Sequence, residues 1–487
     1  MCSTKKSRIP MMLAAALWLY ASGSQSAAQI DSGSDLGTSF TTLRSFDGTD
    51  GRLSFAGLVQ ATNGNLYGTT YYGGTKDSGN VFEITPRGTL TTLYSLCSKS
   101  GCTDGEYTYA VPIQGTDGNF YGTTYLGGSK ELGTVFKVTP SGTQTTLHTF
   151  AGPDGSEPLA GLVQGTNGSF YGTTNMGGAQ GYGVIFKITP SGAFTTLHSF
   201  CSQSGCTDGE NPYAALVQGI DGNLYGTTLG GGSSKGFGTV FKITPSGTLT
   251  TLHRFCTQSS CPDGKFPQTG LVQASNGNFY GTTISGGASG GGTIFEITPT
   301  GKLTTLYNVC SQSGCPDGNY LYAGLIQATD GNLYGIMDVG GAHGTGTIFK
   351  ITLTGTLTTL YNFCSQSGCP DGQYPSGALV QATDGNLYGT TADGGANGDG
   401  TVFRLSIGLG PFVETEPTAA KVGATVKILG TNLTGATSVT FNGKAATFTV
   451  ASSSEITTTV PAGATTGEVQ VATPTGTLLS NVSFRVP

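Results

Sequence analysis

Ten of the eleven cysteines fall in five pairs: Cys97/Cys102, Cys201/Cys206, Cys256/Cys261, Cys310/Cys315 and Cys364/Cys369. Each pair spans a loop close to C-S-Q-S-G-C. Two chemistries suit thiols at that spacing: oxidation to a disulfide, or capture of a metal such as zinc by paired thiolates. Where one copy of the loop is missing, both of its cysteines are missing, as a covalent bridge requires. Chain-entropy reasoning gives each such small ring about 2 kcal/mol. The export signal described below favours disulfides over zinc, and no metal or cofactor is expected.

The histidines offer no catalytic base. His148, His198 and His253 share one slot of a repeated T-T-L-x-[SRT]-F segment, a slot held elsewhere by Tyr94, Tyr307 and Tyr361. A position that accepts Tyr or His equally reads as strand surface, and His343 stands alone in a Gly-rich loop. Asp104, Asp154, Asp208, Asp263, Asp317 and Asp371 each precede Gly and read as turn formers. Calcium ligation is the alternative for them, although they lack the dense acidic spacing of an EF-hand loop. There is no G-x-S-x-G, no zinc-protease helix motif and no phosphate loop. Glycosidase carboxylates can be distant in sequence, so an enzyme acting on polysaccharide or cell wall stays open as an alternative.

The residues after each Asp-Gly vary and are rich in aromatics: Tyr107, Tyr109, Tyr213, Phe266, Tyr320, Tyr322 and Tyr374. An apolar ring with a hydroxyl suits recognition of glycans or proteins, so these are the candidate binding residues; the alternative is that they cover the ends of the repeat units.

These residues are positioned by a long repeat. A phrase close to L-V-Q-x-x-[DN]-G-N-[LF]-Y-G-T-T, then G-G, then G-T-[VI]-F-K-[IV]-T-P-S-G-T-L-T-T-L-[YH], recurs seven times. Its tyrosine falls at Tyr67, Tyr121, Tyr171, Tyr225, Tyr280, Tyr334 and Tyr388, with gaps of 54, 50, 54, 55, 54 and 54 residues. The gap of 50 marks the copy without a cysteine loop. Regular self-similarity at this length means one structural unit used many times.

In the first unit, residues 56–60, 65–70, 80–85 and 90–94 read as strands. Asn63-Gly64 and Pro86-Arg87-Gly88 are tight turns between them. No segment has helical periodicity. Four antiparallel strands in about 54 residues suit one β-propeller blade, and seven blades lie in the usual range. The last unit lacks its T-L-T-T-L strand, whereas Thr41-Thr42-Leu43-Arg44-Ser45-Phe46 matches that strand and stands near the start. We therefore expect a seven-bladed β-propeller over 38–407, closed by an N-terminal strand. An open solenoid would need polar caps instead. Up-and-down topology puts the tight turns on one face and the G-G and cysteine loops on the other, where binding usually resides. Gln60, Gln114, Gln164, Gln218, Gln273, Gln327 and Gln381 recur on the first strand, either ringing a channel or bonding neighbouring backbone.

Residues 1–28 read as a signal peptide, with an uncleaved anchor as the alternative: a basic start at Lys5, Lys6 and Arg8, an apolar run from Met11 to Tyr20 and the small residues Ser26-Ala27-Ala28. Without those three basic residues the chain has 19 basic against 28 acidic residues, a net charge of −9. That balance argues against nucleic acid as a partner. The ten-residue apolar run is too short to span a membrane, and no later stretch approaches that length.

From residue 411 the pattern changes to short alternating strands that suit a small Ig-like β-sandwich over 411–487. The V-G-x-x-V-x-I-x-G-x-N-L start, S-V-x-F-N-G-x-x-A, V-P-A-G-A-T-T-G and closing T-P-x-G-T resemble the IPT/TIG family, which implies an extracellular spacer or binding module. Over about 38–405, D-G-N-L-Y-G-T-T with G-T-V-F-K-I-T-P resembles the GloVer tandem repeats of exported bacterial proteins. The D-G-N-L-Y-G-T core is also similar to propeller blades of some two-component sensors, which usually have Trp where this chain has Tyr. The expected role is non-catalytic binding or scaffolding of an extracellular glycan or protein. The expected location is secreted, periplasmic or at the cell surface. A structural or adhesion component is a further alternative.

Overall fold

The computed structural model describes residues 38–233 and 236–487; the expected signal peptide lies outside them. The fold is all-β, built from four-stranded antiparallel sheets in propeller-like repeats. An N-terminal strand, β1, spans Ser39–Ser45. The first unit contains β2 (Val59–Gln60), β3 (Leu66–Thr70), β4 (Asn80–Ile84) and β5 (Leu90–Ser95), each paired with the next. The same order recurs over 113–149, 163–199, 217–254, 272–308 and 326–362.

A seventh sheet has a mixed origin. Val380–Gln381, Leu387–Asp393 and Thr401–Ser406 pair in order, and the outer place is taken by β1. Even the irregularity is shared. In the first unit the ladder slips between Val81↔Tyr94 and Phe82↔Thr92. In the seventh sheet it slips between Val402↔Arg44 and Phe403↔Thr42, although the two strands lie at opposite ends of the chain.

β4 does not show the polar-out alternation of a half-exposed strand. Val81 is as buried as Phe82 and Ile84, because both faces of each sheet pack against neighbouring units. The recurring tyrosines fill those gaps and are at most 1% exposed. Tyr67 stacks on Phe120, Tyr121 on Phe170 and Tyr225 on Phe279, each pair with ring centroids 4.0 Å apart and each spanning two units. The buried hydroxyl is satisfied by the tight turn: Tyr121, Tyr225 and Tyr334 donate to Asp117, Asp221 and Asp330 at 2.8 Å. Where the turn carries Asn63 or Asn276, the tyrosine donates instead to Glu83 or Glu296 on the third strand.

The glutamines bond backbone and connect units. In the first unit Gln60 Nε2 donates to Gly64 O at 3.1 Å. Gln114, Gln164, Gln218, Gln273, Gln327 and Gln381 each accept a backbone N–H from the preceding unit, from Thr62, Thr116, Thr166, Ile220, Ser275 and Thr329. Gln60 accepts the N–H of Thr383 at 2.8 Å, so the seventh unit is bonded to the first. Thr390 Oγ1 adds a second link by donating to Ala56 O at 2.7 Å.

The C-terminal segment encloses its own core, including Val426, Ile428, Val439, Phe441, Val469 and Phe484. One sheet contains Val413–Glu416, Thr425–Gly430, Glu455–Thr459 and Phe448–Val450. The other contains Lys444–Ala446, Ser438–Phe441, Val469–Thr473 and Gly476–Leu479. It touches the tight-turn side of the repeats. Ser454 Oγ donates to Thr62 O at 3.0 Å, Phe412 N–H donates to Thr383 O at 3.1 Å, and the Thr431 and Thr383 hydroxyls are 2.8 Å apart.

Candidate functional site

All five cysteine pairs are disulfides: Cys97 with Cys102, Cys201 with Cys206, Cys256 with Cys261, Cys310 with Cys315, and Cys364 with Cys369. The second cysteine of each loop has a further role. Cys261 and Cys369 have left-handed backbone, with φ of 49° and 47°. That conformation turns the carbonyl of each toward the adjoining loops. Cys261 O accepts the N–H groups of Gly264 and Gly287, and Cys369 O accepts those of Gly372 and Gly395. The Asp-Gly turn and the G-G loop therefore meet on the second cysteine. Glu106 and Glu210 lie beside two of the bridges, but sulfurs bonded to each other are not thiolates that could hold a metal.

The Asp of each Asp-Gly does more than form a turn. Asp104 accepts the Tyr94 hydroxyl at 2.6 Å and the Ser98 N–H at 2.9 Å, tying the fourth strand to the disulfide loop. His148, His198 and His253 make the same contact with Asp154, Asp208 and Asp263 at 2.8, 3.0 and 2.9 Å. Tyr307 and Tyr361 do so with Asp317 and Asp371, and in the seventh sheet Arg44 holds Asp50. The histidine slot is thus an anchor for the loop.

The loops after Asp-Gly and the G-G loops form one connected surface. Glu106 N–H donates to Leu126 O, Gly128 N–H to Cys102 O and Gly232 N–H to Cys206 O. On this surface seven equivalent residues adopt the left-handed backbone: Leu53, Tyr107, Glu157, Asn211, Phe266, Tyr320 and Tyr374, all with φ between 51° and 59°. For bulky residues this conformation costs about 1–3 kcal/mol each and persists only where the surroundings fix it. Their backbone bonds supply that. Tyr107, Glu157, Asn211, Phe266 and Tyr374 donate to the preceding unit at Ser78, Leu132, Tyr182, Phe237 and Thr345, and Leu53 donates to Asp399 of the seventh.

The predicted aromatics divide between two positions. Tyr107, Phe266, Tyr320 and Tyr374 hold the left-handed place. Tyr109, Tyr213 and Tyr322 lie two residues further on, where the other units have Phe55, Leu159, Gln268 and Ser376. Tyr320 is 36% exposed and the other six are half-buried. Tyr107 stacks on Tyr71 at 4.9 Å, and Tyr109 packs on Phe55, Tyr71 and Tyr125 at 5.6, 4.6 and 5.5 Å. Tyr320 and Tyr322 are parallel with centroids 5.8 Å apart. Tyr213 lies within electrostatic reach of Tyr109, Tyr125 and Tyr322, so side chains from well-separated units converge. Burial pushes the Tyr213 hydroxyl up to about 12, partly offset by a hydrogen bond from Gln268. Phe266 stands apart, against Phe237, with Lys265 over both rings. Tyr374 lies in the short strand Gln373–Pro375.

Sequence reasoning missed Phe55, Tyr71, Tyr125, Gln268 and Asp338. Phe55 and Gln268 hold the same places after Asp-Gly as the predicted tyrosines. Tyr71, Tyr125 and Asp338 follow the second strand, and Asp338 sits in a copy reading Y-G-I-M-D instead of Y-G-T-T-x. That departure was a visible signal.

The pattern of the Gloeobacter/Verrucomicrobia repeat matches residues 20–218, 96–275, 203–403 and 316–429 in overlapping copies. The chain belongs to the Gloeobacter/Verrucomicrobia repeat family. Residues 413–486 match the IPT/TIG domain. No curated protein matches the chain in sequence. Among solved structures it is similar to the extracellular domain of a putative hybrid two-component system from B. thetaiotaomicron, with a TM-score of 0.50 and 14% identity over 91% of this chain. The match spans 57% of that longer chain, and at this identity it speaks for the fold alone. A fungal alcohol oxidase of the AA5 family in complex with copper is also similar, with a TM-score of 0.49 and 12% identity, over 93% of this chain and 99% of the oxidase. Among the described residues no helix is long and apolar enough to cross a membrane.

Proposed function

We propose that this repeat protein is an exported, non-catalytic binding protein that presents its loop-bearing face to an extracellular glycan or protein. In this reading 38–407 form a closed seven-bladed β-propeller, β1 completes the seventh blade, and 411–487 form an IPT/TIG sandwich on the tight-turn side. The cyclic set of glutamine links supports closure, because the bond from Thr383 to Gln60 is the one an open array has no use for. Five disulfides are consistent with an oxidising compartment.

One observation carries the binding reading. Seven backbone positions share one uncommon conformation while their side chains are Leu, Tyr, Glu, Asn, Phe, Tyr and Tyr. A fixed frame that displays varied side chains is the arrangement of a recognition surface. Tyr320 and Tyr322 are its best anchors, being aromatic, adjacent and partly exposed. Hydrolysis by a carboxylate pair finds less support, since the buried Asp338 has Ser376 and not a second carboxylate as its hydrogen-bond partner.

The test is a glycan, cell-wall and peptide binding screen on the exported protein, with Tyr320→Ala and Tyr322→Ala beside it. Binding by the wild type that weakens at least tenfold in either variant is expected. A wild type that binds nothing, or two variants that bind unchanged, would refute the proposal.

A further inference from the structure

The sixth unit departs from its siblings at one point. The second strand of the others carries a Thr pair such as Thr123-Thr124 or Thr282-Thr283, whereas here Ile336-Met337 stands in its place and is followed by Asp338. The second threonine bonds a hydroxyl on the third strand, as in Thr124–Thr134, Thr228–Thr239, Thr283–Thr293 and Thr391–Thr401. Met337 has no hydroxyl to offer Thr347. The equivalents of residue 338 are Tyr71, Tyr125, Asn175, Leu229, Ile284 and Ala392, so a carboxylate is unique to this unit.

Asp338 is 8% exposed. Ser376 Oγ donates to its Oδ1 at 2.9 Å, and no ion pair reaches it among the described residues. Burial pushes its pKa up to about 7, with the Ser376 bond offsetting part of the rise. Tyr322 is within electrostatic reach of Asp338, and Tyr213 of Tyr322. Gln268 hydrogen-bonds Tyr213 but is itself 4% exposed, and its Oε1 has no donor among the described residues. Tyr213, Gln268, Tyr322 and Ser376 are equivalent positions of four successive units, so they form one arc.

That arc holds one buried amide oxygen without a donor, two aromatic rings, and at its end, on Ser376, a buried carboxylate held by a hydroxyl and by no cation. An uncompensated buried carboxylate is costly, and a ligand that brings both charge and N–H donors relieves it. Aromatic faces attract the same group. We propose that Asp338 and Gln268, with the rings of Tyr213 and Tyr322, form a site for a protonated amine on a small organic ligand, supplied by an amino sugar or a lysine-like side chain. This deepens the binding reading above and rests on it.

Among the described residues the titratable group facing Asp338 is Tyr322, which in turn faces Tyr213. Burial holds Tyr213 and Tyr322 above their ordinary values, leaving Asp338 as the group that titrates near neutrality. If only its ionised form binds amine, the competent fraction rises about tenfold from pH 6 to pH 8. Calorimetric titration of the disulfide-bonded protein tests this with Nα-acetyl-lysine amide, its Nε-acetylated form, glucosamine and glucose. Expected are binding of the free amines, none of glucose or the acetylated lysine, and a tenfold gain for the lysine probe between pH 6 and pH 8. The tighter of lysine probe and glucosamine at pH 7 identifies the source of the amine. Asp338→Asn should abolish binding with the thermal midpoint retained, and Ser376→Ala should shift the pH midpoint upward. Equal binding of glucose, unchanged binding by a folded Asp338→Asn, or no binding by any amine overturns the proposal. Neutral glycans bound in the broader screen without amine binding would overturn it while leaving the binding reading intact.

Discussion

Phe46 tests the proposed closure. It follows β1, is 0% exposed, and meets Phe82 of the first unit edge-on with centroids 5.6 Å apart. Its buried neighbours come from both ends of the chain: Leu58, Leu66 and Ile84 on one side, and Ala382, Tyr388 and Val402 on the other. Phe200 holds the equivalent place two units after Leu96, is also 0% exposed, and meets Phe241 edge-on at 5.4 Å. Removing a buried Phe costs about 3–5 kcal/mol through lost transfer energy and the cavity left behind. If the contact between the seventh and first units is as complete as that between the third and fourth, Phe46→Ala and Phe200→Ala should fall in this range within about 1 kcal/mol of each other. Urea unfolding compares them, provided the denaturant dependence is unchanged. Limited proteolysis should show no early cleavage near residue 46 in the wild type. A loss below about 1 kcal/mol for Phe46→Ala beside a full loss for Phe200→Ala would refute the closure.

Gln60→Ala removes the acceptor of the Thr383 N–H and should cost about 1–2 kcal/mol, with faster hydrogen exchange at the Thr383 amide; unchanged protection would count against the link. Replacing Cys310 and Cys315 together by Ser should cost about 2 kcal/mol, and peptide mapping of the wild type purified under oxidising conditions should recover five intra-loop bridges and no free thiol among those ten cysteines. Burial raises Glu414 from 4.5 to about 7, so the folded chain binds more protons than the unfolded chain between those values. Stability due to this group is therefore greatest below about pH 4.5 and falls as pH rises toward 7, and Glu414→Gln should flatten that dependence in denaturation midpoints measured across the window.

Much of the architecture was legible because each unit repeats its own punctuation. Asn63-Gly64 and Pro86-Arg87-Gly88 delimit strands that differ from the expected ones by a residue or so. The exception is the first strand, expected over 56–60 but limited to Val59–Gln60, because the preceding chain turns away at left-handed Leu53 to bond the neighbouring loop. Pairing of the cysteines was legible from their joint absence in one loop. That Cys261 and Cys369 also gather two loops on their carbonyls was not, because a backbone acceptor leaves no trace in residue type. The role of the Asp-Gly aspartates was hidden too, since it depends on a partner six or ten residues away that is Tyr, His or Arg. A charge exchange between turn and third strand, Asp117 with Lys137 but Asn63 with Glu83, was visible in the letters yet acquired meaning only once Tyr67 and Tyr121 were seen to lie between them. The aromatic cluster was half-found, because Phe55, Tyr71 and Tyr125 reach Tyr107 and Tyr109 from three different stretches of chain.

The pairing of Ser39–Ser45 with Thr401–Ser406 also sets an order in time. As the chain emerges N-terminus first, each of the first six sheets can be assembled from one continuous segment and its disulfide loops oxidised. β1 must wait more than 350 residues for its partner. During that interval the growing arc exposes the flank of its first unit, including the faces of Leu58 and Phe82 that Phe46 and Val402 later cover. Long-range β pairing is slow to form and leaves adhesive strand edges open meanwhile. If the ring closes as proposed, the arrival of residue 406 completes it, and a chain truncated shortly before that residue should aggregate instead of forming a smaller version of the same protein.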